Sequence, residues 1–155
     1  MLKLKPLGQW YCDVCGQIIE KPEDGYVVWG RDEENRRLET GFKIIHQRRC
    51  DKGRLPSSSA LSEFLGQDGL NKLLGMFLSN GPIRALVSRG PSEHSVADMD
   101  EFVDFFRRVQ TRYYEEARCY FQKQELLDHF SDSNEIQPYQ EDVLKRIAEE
   151  YSESI

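Results

Sequence analysis

The sequence predicts an α+β fold, an N-terminal β-hairpin drawn together by cysteine and histidine side chains and packed on a C-terminal helical bundle. Three observations predict it. Two pairs of metal-type ligands, Cys12/Cys15 and His46/Cys50, bracket a strand-like stretch. From Leu61 onward, apolar residues recur at helical spacing. The chain has 155 residues, 39% of them hydrophobic and 11% aromatic, which is enough for one core and excludes wholesale disorder. The expected division is a module over 1–55 and a helical region over 56–155, the two forming one compact unit.

The first segment, Met1 to Tyr11, has no apolar core of the kind a secretory leader carries, and no apolar run approaches the roughly 20 residues of a membrane-spanning helix. A cytoplasmic location is therefore expected. In that compartment disulfides are uncommon, so cysteines are read first as metal ligands or catalytic groups. Cys12-Asp-Val-Cys15-Gly16 places two thiols on one tight turn, and the glycine frees the backbone to aim N–H groups at sulfur. A redox pair would instead need a strand before the motif and a helix starting at it. Here Gly16 and the turn Pro22-Glu-Asp-Gly25 follow closely.

Gly25 to Gly30 reads as a strand, Asp32 to Arg37 as a polar turn, and Leu38 to Ile45 as a partly alternating second strand. The hairpin they form would return His46 and Cys50 to the first pair. Three sulfurs and one imidazole nitrogen make a complete tetrahedral set for Zn2+ and leave no open position, so the ion would be structural. In these features residues 10–52 resemble the zinc-ribbon and treble-clef class of zinc sites. The resemblance implies a structural Zn2+ on Cys12, Cys15, His46 and Cys50. The second pair departs from the commoner CxxC, being H-x3-C. Residues 53–155 carry no family pattern.

The loop around the second pair reads HQRRCDKGR. Arg48, Arg49, Lys52 and Arg54 there are candidates for phosphate or nucleic-acid contact, with a solvated loop as the alternative. The run Pro56-Ser-Ser-Ser-Ala60 reads as a linker, with Ser59 capping the helix that follows. Leu61, Phe64 and Leu65 form one turn. Leu70, Leu73, Leu74, Phe77 and Leu78 then form a stripe, with Asp68 as its cap. Ser79-Asn-Gly-Pro82 breaks the chain, and Ile83 to Val87 is a short apolar piece.

The longest helix is expected from Asp98, paired with Glu101 in a capping-box pattern, through Phe102, Phe105, Phe106, Val109, Tyr113 and Ala117 to Tyr120/Phe121. Arg112–Glu116 and Tyr114–Arg118 would be i,i+4 neighbours on it, and Tyr114 with Arg118 is a candidate partner-binding face. Cys119 is expected to be a small buried hydrophobe. Pro138 opens a last amphipathic helix with Val143, Leu144, Ile147 and Tyr151 inward.

Charge is uneven. Residues 1–55 hold 11 Lys/Arg against 9 Asp/Glu, and residues 56–155 hold 10 against 18, a net −8. That balance disfavours a protein that wraps nucleic acid and suits a basic protein partner. No HExxH, GxSxG, P-loop or dinucleotide fingerprint is present, and His94 and His129 stand apart from any catalytic set. The expected function is a non-enzymatic zinc protein that acts as a protein-interaction adaptor, regulator or inhibitor. The alternative is a nucleic-acid-binding zinc module using the basic loop.

Overall fold

The computed structural model describes residues 2–53, 55–78, 82–88 and 90–152. The architecture is α+β. Antiparallel strands fill the N-terminal part and helices the C-terminal part. Strands β1 (Trp10–Tyr11) and β2 (Ile18–Ile19) pair antiparallel, with Trp10 opposite Ile19 and Tyr11 opposite Ile18. They flank the Cys12–Gly16 turn. Gly16 takes φ +73°, a left-handed conformation open to glycine at little cost.

Strands β3 (Gly25–Arg31) and β4 (Glu39–His46) form the expected hairpin, which joins a three-stranded sheet of order β4-β3-β5. The third strand, β5 (Ser57–Ala60), corrects the linker reading of PSSSA. It pairs antiparallel with β3, and Ser59 sits opposite Val27 instead of capping a helix. A serine-rich run mimics a loop by composition, yet its backbone N–H and C=O groups complete the β3 edge.

The β3–β4 register shifts between Val28 and Gly30, leaving one extra residue on β4 at the Gly41/Phe42 position. Glu101 takes up the freed donors, since its Oε1 accepts from both the Gly41 and Phe42 N–H groups. The capping box is therefore half right. The Asp98 side chain accepts from the Glu101 N–H at 3.0 Å, but Glu101 reaches β4 and does not return to the cap.

The helices are α1 (Gly66–Phe77), α2 (Pro82–Ser88), α3 (Met99–Gln110), α4 (Tyr114–Arg118), α5 (Gln124–Phe130) and α6 (Glu141–Ser152). A 3-10 turn, Leu61–Phe64, precedes α1, which starts two residues before the expected cap Asp68. The long helix of the sequence reading is two helices. Thr111 leaves helical geometry, and Tyr113 stands at φ +66° before α4 begins. A short 3-10 turn, Gln137–Tyr139, holds Pro138, and α6 starts just beyond it.

Two apolar clusters result. The first joins the strands to the helices: Trp10, Ile19, Trp29, Phe42, Ile44, Phe64, Leu73, Phe102 and Phe105 are buried together. Its rings pack at close range, with Phe42 stacked on Phe105 at 5.2 Å and edge-on to Phe102 at 5.3 Å. The second cluster, from Tyr114 to Ala148, lies under α4 and α6. The N-terminal hairpin thus shares its core with α1 and α3. Among the described residues no helix is long and apolar enough to cross a membrane.

Candidate metal centre

Each element around Cys12–Cys15 and His46–Cys50 delivers a ligand for a local reason. The knuckle turn closes through the Gly16 N–H to the Cys12 carbonyl and the Cys12 N–H to the Gln17 carbonyl, both at 2.9 Å. His46 is the last residue of β4, held opposite Gly25 by the sheet register. Cys50 lies one turn further, its N–H directed at the His46 carbonyl. Donor atoms of Cys12, Cys15, His46 and Cys50 all lie within 4.8 Å of one another, so the group could hold one metal ion.

The finer distances suit a tetrahedral ion. Bond lengths of about 2.3 Å to sulfur and 2.0 Å to nitrogen set neighbouring donors roughly 3.5–3.8 Å apart. His46 Nδ1 lies 3.5 Å from Cys15 Sγ and 3.8 Å from Cys50 Sγ. The other ring nitrogen, Nε2, faces the Ile18 carbonyl at 3.2 Å. A carbonyl only accepts, so Nε2 carries the proton and the Nδ1 lone pair is left toward the thiols, the tautomer a metal ligand needs.

The electrostatics favour thiolate at the exposed corner. The Gln17 backbone N–H, helped by Cys12, Cys50 and Arg49, lowers the exposed Cys15 thiol to about 6. Burial pushes Cys50 up. Arg49 Nη2 donates to Cys15 Sγ at 3.4 Å and lies 3.3–3.4 Å from both ring nitrogens of His46, bringing a positive charge to a donor set that is anionic once its thiols ionise.

The other residues singled out in the sequence scatter. Arg48 is exposed and shares a concavity with Arg49, Glu23 and Asp24, and Lys52 borders a different one with Val14 and Val28. Arg49 faces the thiols. Arg54 lies outside the described residues. The described bases of the loop thus line two concavities, Arg48 and Arg49 one and Lys52 the other.

Tyr114 and Arg118 do not form an exposed partner face. Tyr114 is 4% exposed, its hydroxyl donates to Asp104 at 2.7 Å, and its ring packs on Phe121. Burial, with Asp104 adding to it, raises its pKa. Arg118 pairs with the same Asp104 at 2.6 Å. Arg112 pairs with Glu141, not Glu116, because the break at Thr111–Tyr113 removes the i,i+4 geometry. Cys119 is exposed, with its thiol directed at the Glu115 carbonyl, which corrects the buried reading.

Compared with protein-family models, curated proteins and solved structures, the chain matches none.

One constellation had no signal in the sequence. Arg108, 3% exposed, joins the knuckle to the helices. Its Nε and Nη2 fork onto both Glu115 oxygens at 2.7 and 2.8 Å, Nη1 reaches Asp13 at 2.7 Å, and Nη2 donates to the Tyr11 carbonyl at 3.1 Å. Burial opposes its charge, but Glu115 and Asp13 outweigh that and raise its pKa. Asp13, between the two knuckle cysteines, also exchanges two bonds with Ile44. Its N–H donates to the Ile44 carbonyl, and its carboxylate accepts from the Ile44 N–H. Trp10 Nε1 donates to the Arg108 carbonyl. The ligand turn is thereby tied to β4 and α3 at once.

Proposed function

We propose that the protein is a non-catalytic, zinc-stapled interaction module: Cys12, Cys15, His46 and Cys50 hold one structural Zn2+, and the folded chain serves as an adaptor or regulator of another protein. The convergence of three sulfurs and a correctly oriented imidazole carries the reading. Soft thiolates with one imidazole select zinc over magnesium or calcium, which take oxygen ligands. Four protein ligands leave the ion no vacant position for water or substrate, so it supplies cross-linking and no Lewis-acid chemistry. The kinship with zinc ribbons belongs to this proposal. It rests on the knuckle, the following hairpin and the returning ligand pair. A protein partner is favoured over nucleic acid by the acidic helical half.

Metal analysis and a binding assay test this together. The purified chain is expected to carry one zinc per molecule, and Co2+ in its place to give the intense visible bands of a tetrahedral thiolate site. Random-sequence DNA and RNA are expected not to bind at low salt. A metal-free chain overturns the zinc assignment. Tight, salt-dependent nucleic-acid binding lost on Arg48→Ala and Lys52→Ala overturns the choice of partner.

A further inference from the structure

The helical half leaves an apolar groove whose rim is acidic. One wall is α3, where Met99 is 49% and Val103 41% exposed at i,i+4 spacing. The other is formed by α5 and the segment after it, with Phe130, Ser133 and Glu135 facing α3 and Leu127, 52% exposed, on the side toward α6. Phe130, Pro138 and Tyr139 form the floor shared by two adjoining concavities, one against α3 and one against α6. Soluble chains seldom leave large apolar side chains clustered in a concave surface without use.

The rim is one-signed. Asp100 and Glu135 line the groove, and Asp132 stands in the loop beside it. Among the described residues none of the three forms an ion pair. Arg107, the one Lys or Arg among the described lining residues, lies on the Tyr139 ring at the floor, its guanidinium carbon 3.6 Å from the ring centre. None of the described residues lining either concavity belongs to a strand, so backbone pairing with an extended peptide is not offered there.

We propose that this groove is the docking surface for a cationic amphipathic helix of another protein, whose apolar stripe meets Val103, Leu127 and Phe130 while its lysines or arginines meet Asp100, Asp132 and Glu135. The proposal rests on the reading of the chain as an interaction module and supplies the chemistry of its partner. A second copy of the chain fits less well. Its only helix of positive net charge among those described is α2, with Arg84 and the exposed Ile83, Leu86 and Val87. Three apolar side chains fall short of the roughly 800 Å² per partner of a stable interface.

The test uses the full-length, zinc-loaded chain and two designed helical peptides with one leucine stripe, the first carrying lysines on its polar face and the second glutamates. The lysine peptide is expected to bind at a single site, at least about tenfold more tightly than the glutamate peptide. It should weaken with salt and shift the NMR signals of Val103, Leu127, Phe130 and Tyr139. Val103→Asp and Leu127→Asp are surface changes that add negative charge. General charge attraction would therefore strengthen binding to them, whereas groove docking predicts a loss of about tenfold. Asp100→Asn with Glu135→Gln is expected to weaken binding several-fold.

Equal binding of the two peptides, no binding of the lysine peptide, binding undiminished by Val103→Asp, or self-association that Leu86→Asp abolishes would each overturn the proposal. Zinc content measured on the same sample separates this failure from failure of the metal assignment.

Discussion

Replacing Arg108 by methionine probes how the metal knuckle is fastened to the helices. The substitution keeps an unbranched apolar stem but removes four hydrogen bonds: two to Glu115, one to Asp13 and one to the Tyr11 carbonyl. Glu115, with 4% of its side chain exposed, then keeps only the Tyr11 N–H as a partner. Asp13 is 26% exposed and keeps the Ile44 N–H, so water recovers part of its loss. Removing one partner of a buried pair costs about 3–5 kcal/mol, nearly all of it here from Glu115. For a chain of this size that is a fall of about 10 °C in Tm.

Urea unfolding of the zinc-loaded protein measures the loss. Competition with a chromophoric chelator measures zinc affinity, expected to fall about tenfold because Asp13 lies inside the ligand turn. The double variant Arg108→Met/Glu115→Gln removes the stranded charge and should be more stable than Arg108→Met alone. A loss below about 1 kcal/mol, or a double variant no better than the single one, would refute the reasoning.

Further outcomes follow from other sites. Burial pushes the Glu116 carboxyl up to about 7 from 4.5, and its Oε1 has no partner. The folded state therefore holds this proton more tightly than the unfolded one. The stabilisation is complete below the unfolded pKa and is lost as pH rises through about 7. Urea melts at about pH 6 and pH 8 should show wild type losing about 1.4 kcal/mol from this group, and Glu116→Gln should lack that loss. Gly69→Ala would drive a Cβ into the Phe64 carbonyl group, so α1 must shift off the preceding turn. A loss of about 3 kcal/mol is expected in thermal or urea melts. Cys15→Ser should abolish stoichiometric zinc binding in metal analysis, while Cys119→Ser, on α4's exposed end, should leave it intact.

The metal cluster and the β3–β4 hairpin were legible because their signals are local. A CxxCG turn, alternation over 25–30 and 38–45, and a ligand pair just past the second strand need no tertiary information. β5 was not legible. Ser57–Ala60 has the composition of a loop, and only the open edge of β3 makes it a strand. The aromatic stripe from Phe102 to Phe121 kept helical spacing across Thr111–Tyr113, so periodicity passed over a left-handed residue that turns α4 away from α3. That turn changed the partners downstream: Arg118 and Tyr114 meet at Asp104, Arg112 meets Glu141, and the candidate partner face has its tyrosine buried and its arginine paired. By sequence alone Arg108 is one arginine among several on a helix. Its role depends on Asp13, 95 residues away, which no local pattern could supply.

X-ray absorption at the zinc K-edge, on protein whose zinc content has been measured, tests the four-ligand closure most directly. Closure predicts one zinc per chain, surrounded by three sulfurs at about 2.3 Å and one nitrogen at about 2.0 Å, with no oxygen neighbour. A chain that purifies without metal, or a zinc with a bound water and fewer than three sulfurs, would contradict it.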